Sequence, residues 1–119
     1  MLFINFSNHP SKYWDDKQRK ASNNYGELFD LPFPQIDPNA SYEELQILAH
    51  DCVNKIASLG DSQSITVHIM GEMTFTFMVV TRLKEMGITC LASTTERKVT
   101  MNADGTKQSE FSFVKFREY

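Results

Sequence analysis

With 119 residues, 41% of them hydrophobic, the chain has room for one three-layer core and is too apolar to be disordered. Its net charge of −3 exerts no global pull on nucleic acid, which disfavours a long duplex-binding surface but leaves room for a small anionic ligand in a local pocket. No run approaches the roughly 20 apolar residues of a membrane span and MLFINFSNHP lacks the pattern of a secretion signal, so the expected setting is cytoplasmic, with no membrane partner.

The first expected strand is Leu2 to Phe6, followed by the turn residues of SNHPS with Ser11 free to cap a helix. That helix is expected from Lys12 to about Ser22, with Trp14, Gln18, Ala21 and Tyr25 on one stripe. A second strand, Glu27 to Leu31, runs into PFPQIDP, where three prolines forbid regular structure. Ser41 and Glu44 form a capping box for the next helix. Its apolar stripe runs from Leu45 through Ala49, Cys52 and Ile56 to Leu59, and Gly60 stops it.

Ile65 to Met70 is almost continuously apolar, as in a strand buried on both faces. A third helix is expected from Met73 to Met86 with Gly87 as its stop, and a fourth strand from Ile88 to Ala92. STTER then reads as a loop. Arg97 to Met101 and Glu110 to Phe116 read as a separate hairpin around Asp104-Gly105. Phe111, Phe113, Val114 and Phe116 alternate poorly, which signals a bulge or burial on both faces.

Strands and helices in alternation build a parallel sheet covered on both sides. The expected fold is α/β, a Rossmann-like three-layer sandwich of four parallel strands in the order 2-1-3-4, with an antiparallel hairpin at one edge. Ligands of such sheets bind beyond the carboxyl ends of the strands, where the order reverses. That point lies between strands one and three.

Cys52 and Cys90 occupy apolar positions and read as small buried hydrophobes. His9, His50 and His68 are scattered, and no Cys/His cluster has ligand spacing, so no metal site is expected. His50 and His68 read as structural. No glycine fingerprint follows the first strand and nothing resembles a Walker lysine, so neither a dinucleotide cofactor nor ATP is expected, and no other cofactor is implied.

Three segments carry the functional signal: SNHPS, GEMTFT and STTER. Ser7, Asn8 and His9 follow strand one, and a histidine near neutral pKa suits acid–base work, or else the segment is only a turn fixed by Asn8 and Pro10 with His9 exposed. Gly71 allows close approach of a ligand, and the helix start beyond it, with Thr74, favours an anion. Glu72 either accepts from a ribose hydroxyl, holds Arg97, or serves only to complement the helix dipole. Arg97, with Thr94 and Thr95 beside it, offers a phosphate fork, or else is a surface residue paired with Glu96.

LFINFSNHPSKYWDDKQ resembles the strand, turn and helix of the small CRISPR-associated ring nucleases, compact Rossmann-like proteins related to domains that sense cyclic oligoadenylates. The likeness continues through the glycine turn after strand three, whereas STTER has no assigned counterpart. The resemblance implies a homodimer that binds cyclic tetraadenylate and cleaves it without metal, a ribose 2′-hydroxyl attacking the adjacent phosphorus. Carried onto this chain, it implies that Ser7, Asn8 and Ser11 grip phosphate, His9 moves a proton and Arg97 stabilises charge. Gly71 and Thr74 present the helix end, and Glu72 meets a ribose hydroxyl. Three alternatives stay open: a cyclic-nucleotide binding module without catalysis, a nucleoside or nucleotide hydrolase acting through Glu72, and a domain that binds only a protein partner.

Overall fold

A computed structural model describes residues 1–119 as a mixed α/β domain of 52 × 37 × 21 Å. The elements are β1 (Leu2–Ser7), α1 (Asp16–Asn23), β2 (Glu27–Asp30), α2 (Tyr42–Ala57), β3 (Ile65–Met70), α3 (Met73–Glu85), β4 (Thr89–Met101) and β5 (Lys107–Glu118). They form one five-stranded sheet in the order β2-β1-β3-β4-β5. The first four are parallel neighbours, and β5 runs antiparallel to β4.

Period-two alternation divides the sheet into two faces. Ile4 and Phe6 of β1 with Ile65, Val67 and Ile69 of β3 pack against α2 and α3 in the larger core. Phe3 and Leu91 point the other way, where Trp14, Phe113 and Phe116 complete a smaller aromatic core under α1. Cys90 lies in the larger core and burial pushes its thiol up to about 12, so it is an inert packing residue.

The caps explain where the helices begin. Ser41 Oγ accepts from Glu44 N–H at 3.1 Å, which is one half of the expected capping box; the Glu44 carboxylate does not return a bond to Ser41 N–H. Ser11 does not cap α1. Pro10 diverts the chain into one turn of 3-10 helix, Ser11–Tyr13, and α1 starts later with Asp15 accepting from Gln18 N–H at 2.8 Å. The stripe of Trp14, Gln18, Ala21 and Tyr25 nonetheless faces the sheet.

The largest departure from the sequence reading concerns STTER, which is not a loop. β4 continues unbroken from Thr89 to Met101, so the fourth parallel strand and the first hairpin strand are one element, and the sheet has five strands where six are expected. Backbone pairing with β3 ends at Leu91; Ser93 still donates to Met70 Sδ of β3 through its N–H and hydroxyl, and the backbone of the remaining residues pairs with β5 alone. A bulge interrupts the ladder between Thr94 and Thr95: Thr94 faces Lys115 while Thr95 faces Phe113, leaving Val114 unmatched. This is the bulge signalled by the uneven alternation of Phe111 to Phe116. The turn at Asn102–Thr106 is closed by Gly105 at φ +88°, as the Asp-Gly pair predicts.

Candidate functional site

A polar row crosses the sheet beneath its carboxyl-terminal rim. Asp30, Asn5 and His68 are register partners on β2, β1 and β3. Asn5 Nδ2 donates to Asp30 Oδ1 at 2.8 Å and to the His9 carbonyl at 3.0 Å. Both of its amide hydrogens are thereby used on acceptors, which fixes the orientation of the amide. Its Oδ1 then accepts from Ser7 Oγ at 2.7 Å and faces His68 Nδ1 at 2.9 Å. Nδ1 must carry the imidazole proton, and Nε2 keeps a bare lone pair.

His68 is 1% exposed, enclosed by Phe3, Trp14 and Phe116, and its Nε2 has no hydrogen-bond partner. Burial, assisted by the neighbouring His9, pushes its pKa down to about 4, so the ring is neutral at physiological pH. Burial acts to raise the Asp30 carboxyl. Hydrogen bonds from Ser11 and Asn5 and the charge of Arg19 outweigh it, leaving Asp30 below its ordinary value and ionised.

Above this row lies a cavity of about 600 Å³, bounded by the ends of β1 and β3, by the approach to α1 and by the β4–β5 hairpin. Ser7, Asn8 and His9 enter it from β1, and Met70 and Gly71 from β3. Ser93 and Thr95 form the wall on β4, opposite Tyr13, Asp15 and Gln18. Phe111 and Phe113 close it from β5, and His68 lies at its base. The loop after β1 is pinned by its backbone: the His9 carbonyl also accepts from Trp14 Nε1 at 3.0 Å, and Asn8 N–H donates to the Met70 carbonyl at 3.1 Å. The His9 ring itself remains exposed, 6.5 Å from that of Tyr13.

Segments far apart in sequence therefore meet at one rim, with Ser7, Asn8, His9, Gly71 and Thr95 around a single cavity. Five other expected site residues lie elsewhere. Glu72 is the N-cap of α3, its carboxylate held by Thr74 N–H, Phe75 N–H and the Thr74 hydroxyl. The Phe75 N–H, then the two Thr74 groups, hold its pKa below the ordinary value. Thr74 lies beside a separate groove between α2 and α3, lined also by Tyr42, Met73 and Phe77. Arg97 extends along the hairpin and donates to Ser109 Oγ at 3.1 Å, far from Glu72 in topology. Thr94 uses its hydroxyl on the Lys115 backbone at the bulge. Ser11 is buried, donating to Asp30 Oδ2 at 2.6 Å.

Gly71 also has a second duty. A Cβ there would sit 2.3 Å from Cζ of Phe33, so the missing side chain makes room for an aromatic ring packed on Phe6 and Phe75. Gln18 and His68 were visible in the sequence only as members of a buried stripe and a buried strand. Their polar atoms against an apolar background were the available clue. No lysine or arginine lines the cavity.

The fold and the site together define a mixed α/β domain whose polar cavity opens at the carboxyl ends of parallel strands, between β1 and β3, where their order reverses. Residues 1–117 match the model of the family described as "Uncharacterized protein MJ1673 family", and the chain belongs to that family. No curated protein matches the chain.

Proposed function

We propose that this protein is a Rossmann-like, metal-independent ring nuclease that binds cyclic oligoadenylate, with cyclic tetraadenylate the first ligand to test, and so switches off CRISPR antiviral signalling. The supporting observation is the convergence of Ser7, Asn8, His9, Gly71 and Thr95 on one cavity at the switch point of the sheet. Its volume falls within the roughly 300–1,000 Å³ of small-molecule sites. A two-fold ligand shared by two copies in an isologous dimer would place part of the ring in each cavity.

Within this reading the roles contract. Ser7, Asn8 and Thr95 contact the ligand, and His9, exposed at the rim, is the candidate acid or base. The 2′-hydroxyl attacks the adjacent phosphorus, the bond to the next residue's 5′-oxygen breaks, and a cyclic phosphate end results. The protein's part is to position the reacting groups. Arg97, which does not line the cavity and bonds Ser109 on the hairpin, is assigned no role in this reading. Glu72, spent on the helix cap, is likewise removed, and with it goes the main support for a Glu72-dependent hydrolase.

The absence of a cationic side chain from the cavity wall favours a second reading, in which the domain binds the cyclic nucleotide without cutting it. Incubation with cyclic tetraadenylate in EDTA, followed by chromatography, separates the two. Linear fragments with cyclic phosphate ends are expected. Ligand that is bound but intact at stoichiometric enzyme establishes the second reading instead.

A further inference from the structure

The wall of the cavity formed by α1 and β5 carries a combination that the nuclease chemistry leaves unused. Gln18 is only 6% exposed, lines the cavity, and its side-chain amide makes no hydrogen bond within the molecule; Gln18 bonds Asp15 solely through its backbone N–H. Unlike His68 Nε2, the amide is not sealed from solvent. A buried carboxamide normally has partners, and one left without them has its donor and acceptor available side by side. Around it stand aromatic surfaces of two kinds. Phe113 is buried in the wall, whereas Phe111 and Tyr13 line the same cavity while 70% and 65% exposed. Large aromatic rings left in water at a cavity mouth offer flat apolar faces for another flat ring.

Resting on the reading of a nucleotide ligand, we propose that this wall is a nucleobase subsite, in which the Gln18 carboxamide pairs with the edge of an adenine while Tyr13 and Phe111 stack on its faces. A primary amide pairs in bidentate fashion with adenine because the exocyclic amine donates beside a ring-nitrogen acceptor. The subsite also accounts for the lack of cations: the cavity receives the uncharged base, and the phosphates stay at the rim, near His9 and the Lys12 ammonium that lies 5.0 Å above the Tyr13 ring.

The test is a set of binding titrations by calorimetry with adenosine 5′-monophosphate, purine riboside 5′-monophosphate (which lacks the exocyclic amine) and cyclic tetraadenylate. The wild-type protein is expected to prefer the adenine nucleotide over purine riboside by about ten- to a hundredfold, the span of one bidentate pair. Gln18→Leu, close in shape, is expected to abolish that preference. The Tyr13→Ala and Phe111→Ala variants alter exposed side chains and keep the fold; each should weaken both monophosphates by about tenfold. An unchanged preference in Gln18→Leu, or unchanged affinity in both aromatic variants, overturns the subsite. If the monophosphates behave as expected but cyclic tetraadenylate is neither bound nor cut, the subsite stands and the ring-nuclease reading falls. Cleavage of cyclic tetraadenylate that is indifferent to all three substitutions overturns the subsite and leaves the ring nuclease standing. Failure of the wild-type protein to bind any of the three ligands at millimolar concentration overturns both.

Discussion

Acidification should destabilise this protein through His68 well before its carboxylates are protonated. The ring is neutral, gives its one proton to Asn5, and turns Nε2 toward no partner inside a cage of Phe3, Trp14 and Phe116. Protonation would place a charged N–H in that cage, so the folded pKa falls from 6.5 to about 4. The unfolded chain takes up the proton near 6.5 and the folded chain does not. Stability is therefore fully present above about 6.5 and declines as pH falls from there toward 4. The whole shift corresponds to about 3 kcal/mol, of which about 2 kcal/mol is lost between about pH 7.5 and about pH 5. Urea titrations followed by circular dichroism should show the midpoint dropping by about 1 M over that range, for a slope near roughly 2 kcal/mol per M. The Asp30 carboxyl is lowered and contributes its own loss only at more acidic pH. His68→Gln should start less stable but show a flatter pH profile, and the difference between the two profiles isolates the histidine. A His68 NMR titration midpoint near its ordinary 6.5, or an undiminished slope in His68→Gln, would refute this account of the cage.

Asn5→Ala removes the centre of the polar row. It leaves His68 Nδ1–H without an acceptor and is expected to cost about 3 kcal/mol in chemical denaturation, with a loss under about 1 kcal/mol refuting the network. Gly71→Ala drives a methyl group into the Phe33 ring, so about 1–3 kcal/mol should be lost, and Gly71→Ala combined with Phe33→Leu should recover part of it. Glu72→Ala should lower the melting temperature modestly by uncapping α3, with nucleotide binding unchanged. Weakened binding in that variant, measured by calorimetry, would return Glu72 to the site.

Local chemistry was legible where the residue and its purpose lie close together in the chain. Ser41 and Glu44 announce α2 three residues apart, and Asp104-Gly105 announces the hairpin turn within two. STTER misled because its hydroxyls and charges look like a loop once the apolar run ends at Ala92. The strand persists for a different reason. Its backbone groups are satisfied by β5, and Thr94, Thr95, Val99 and Thr100 are β-branched residues that suit an extended chain without needing burial. Ser11 misled similarly: a capping residue stood at a plausible helix start, but Pro10 and the 3-10 turn postponed the helix to the competing cap at Asp15. The cavity was legible as a convergence of strand ends. The Asp30–Asn5–His68 row was not, because Asp30 and His68 lie 25 and 63 residues from Asn5 and only strand register brings them into line.

The long β4–β5 ribbon has a mechanical consequence for the cavity. From Glu96 onward β4 has no partner but β5, and a two-stranded ribbon reaching roughly 20 Å at about 3.3 Å per residue has little stiffness of its own. It behaves as a cantilever whose clamped section ends where Phe113, the register partner of Thr95, enters the aromatic core. Tyr13 is anchored to the clamped body, and Phe111 rides on the free beam beyond that section. The gap between these two rings is consequently set by the angle at the root of the beam, so a few degrees of flexure there would alter the mouth while the packed interior stayed still.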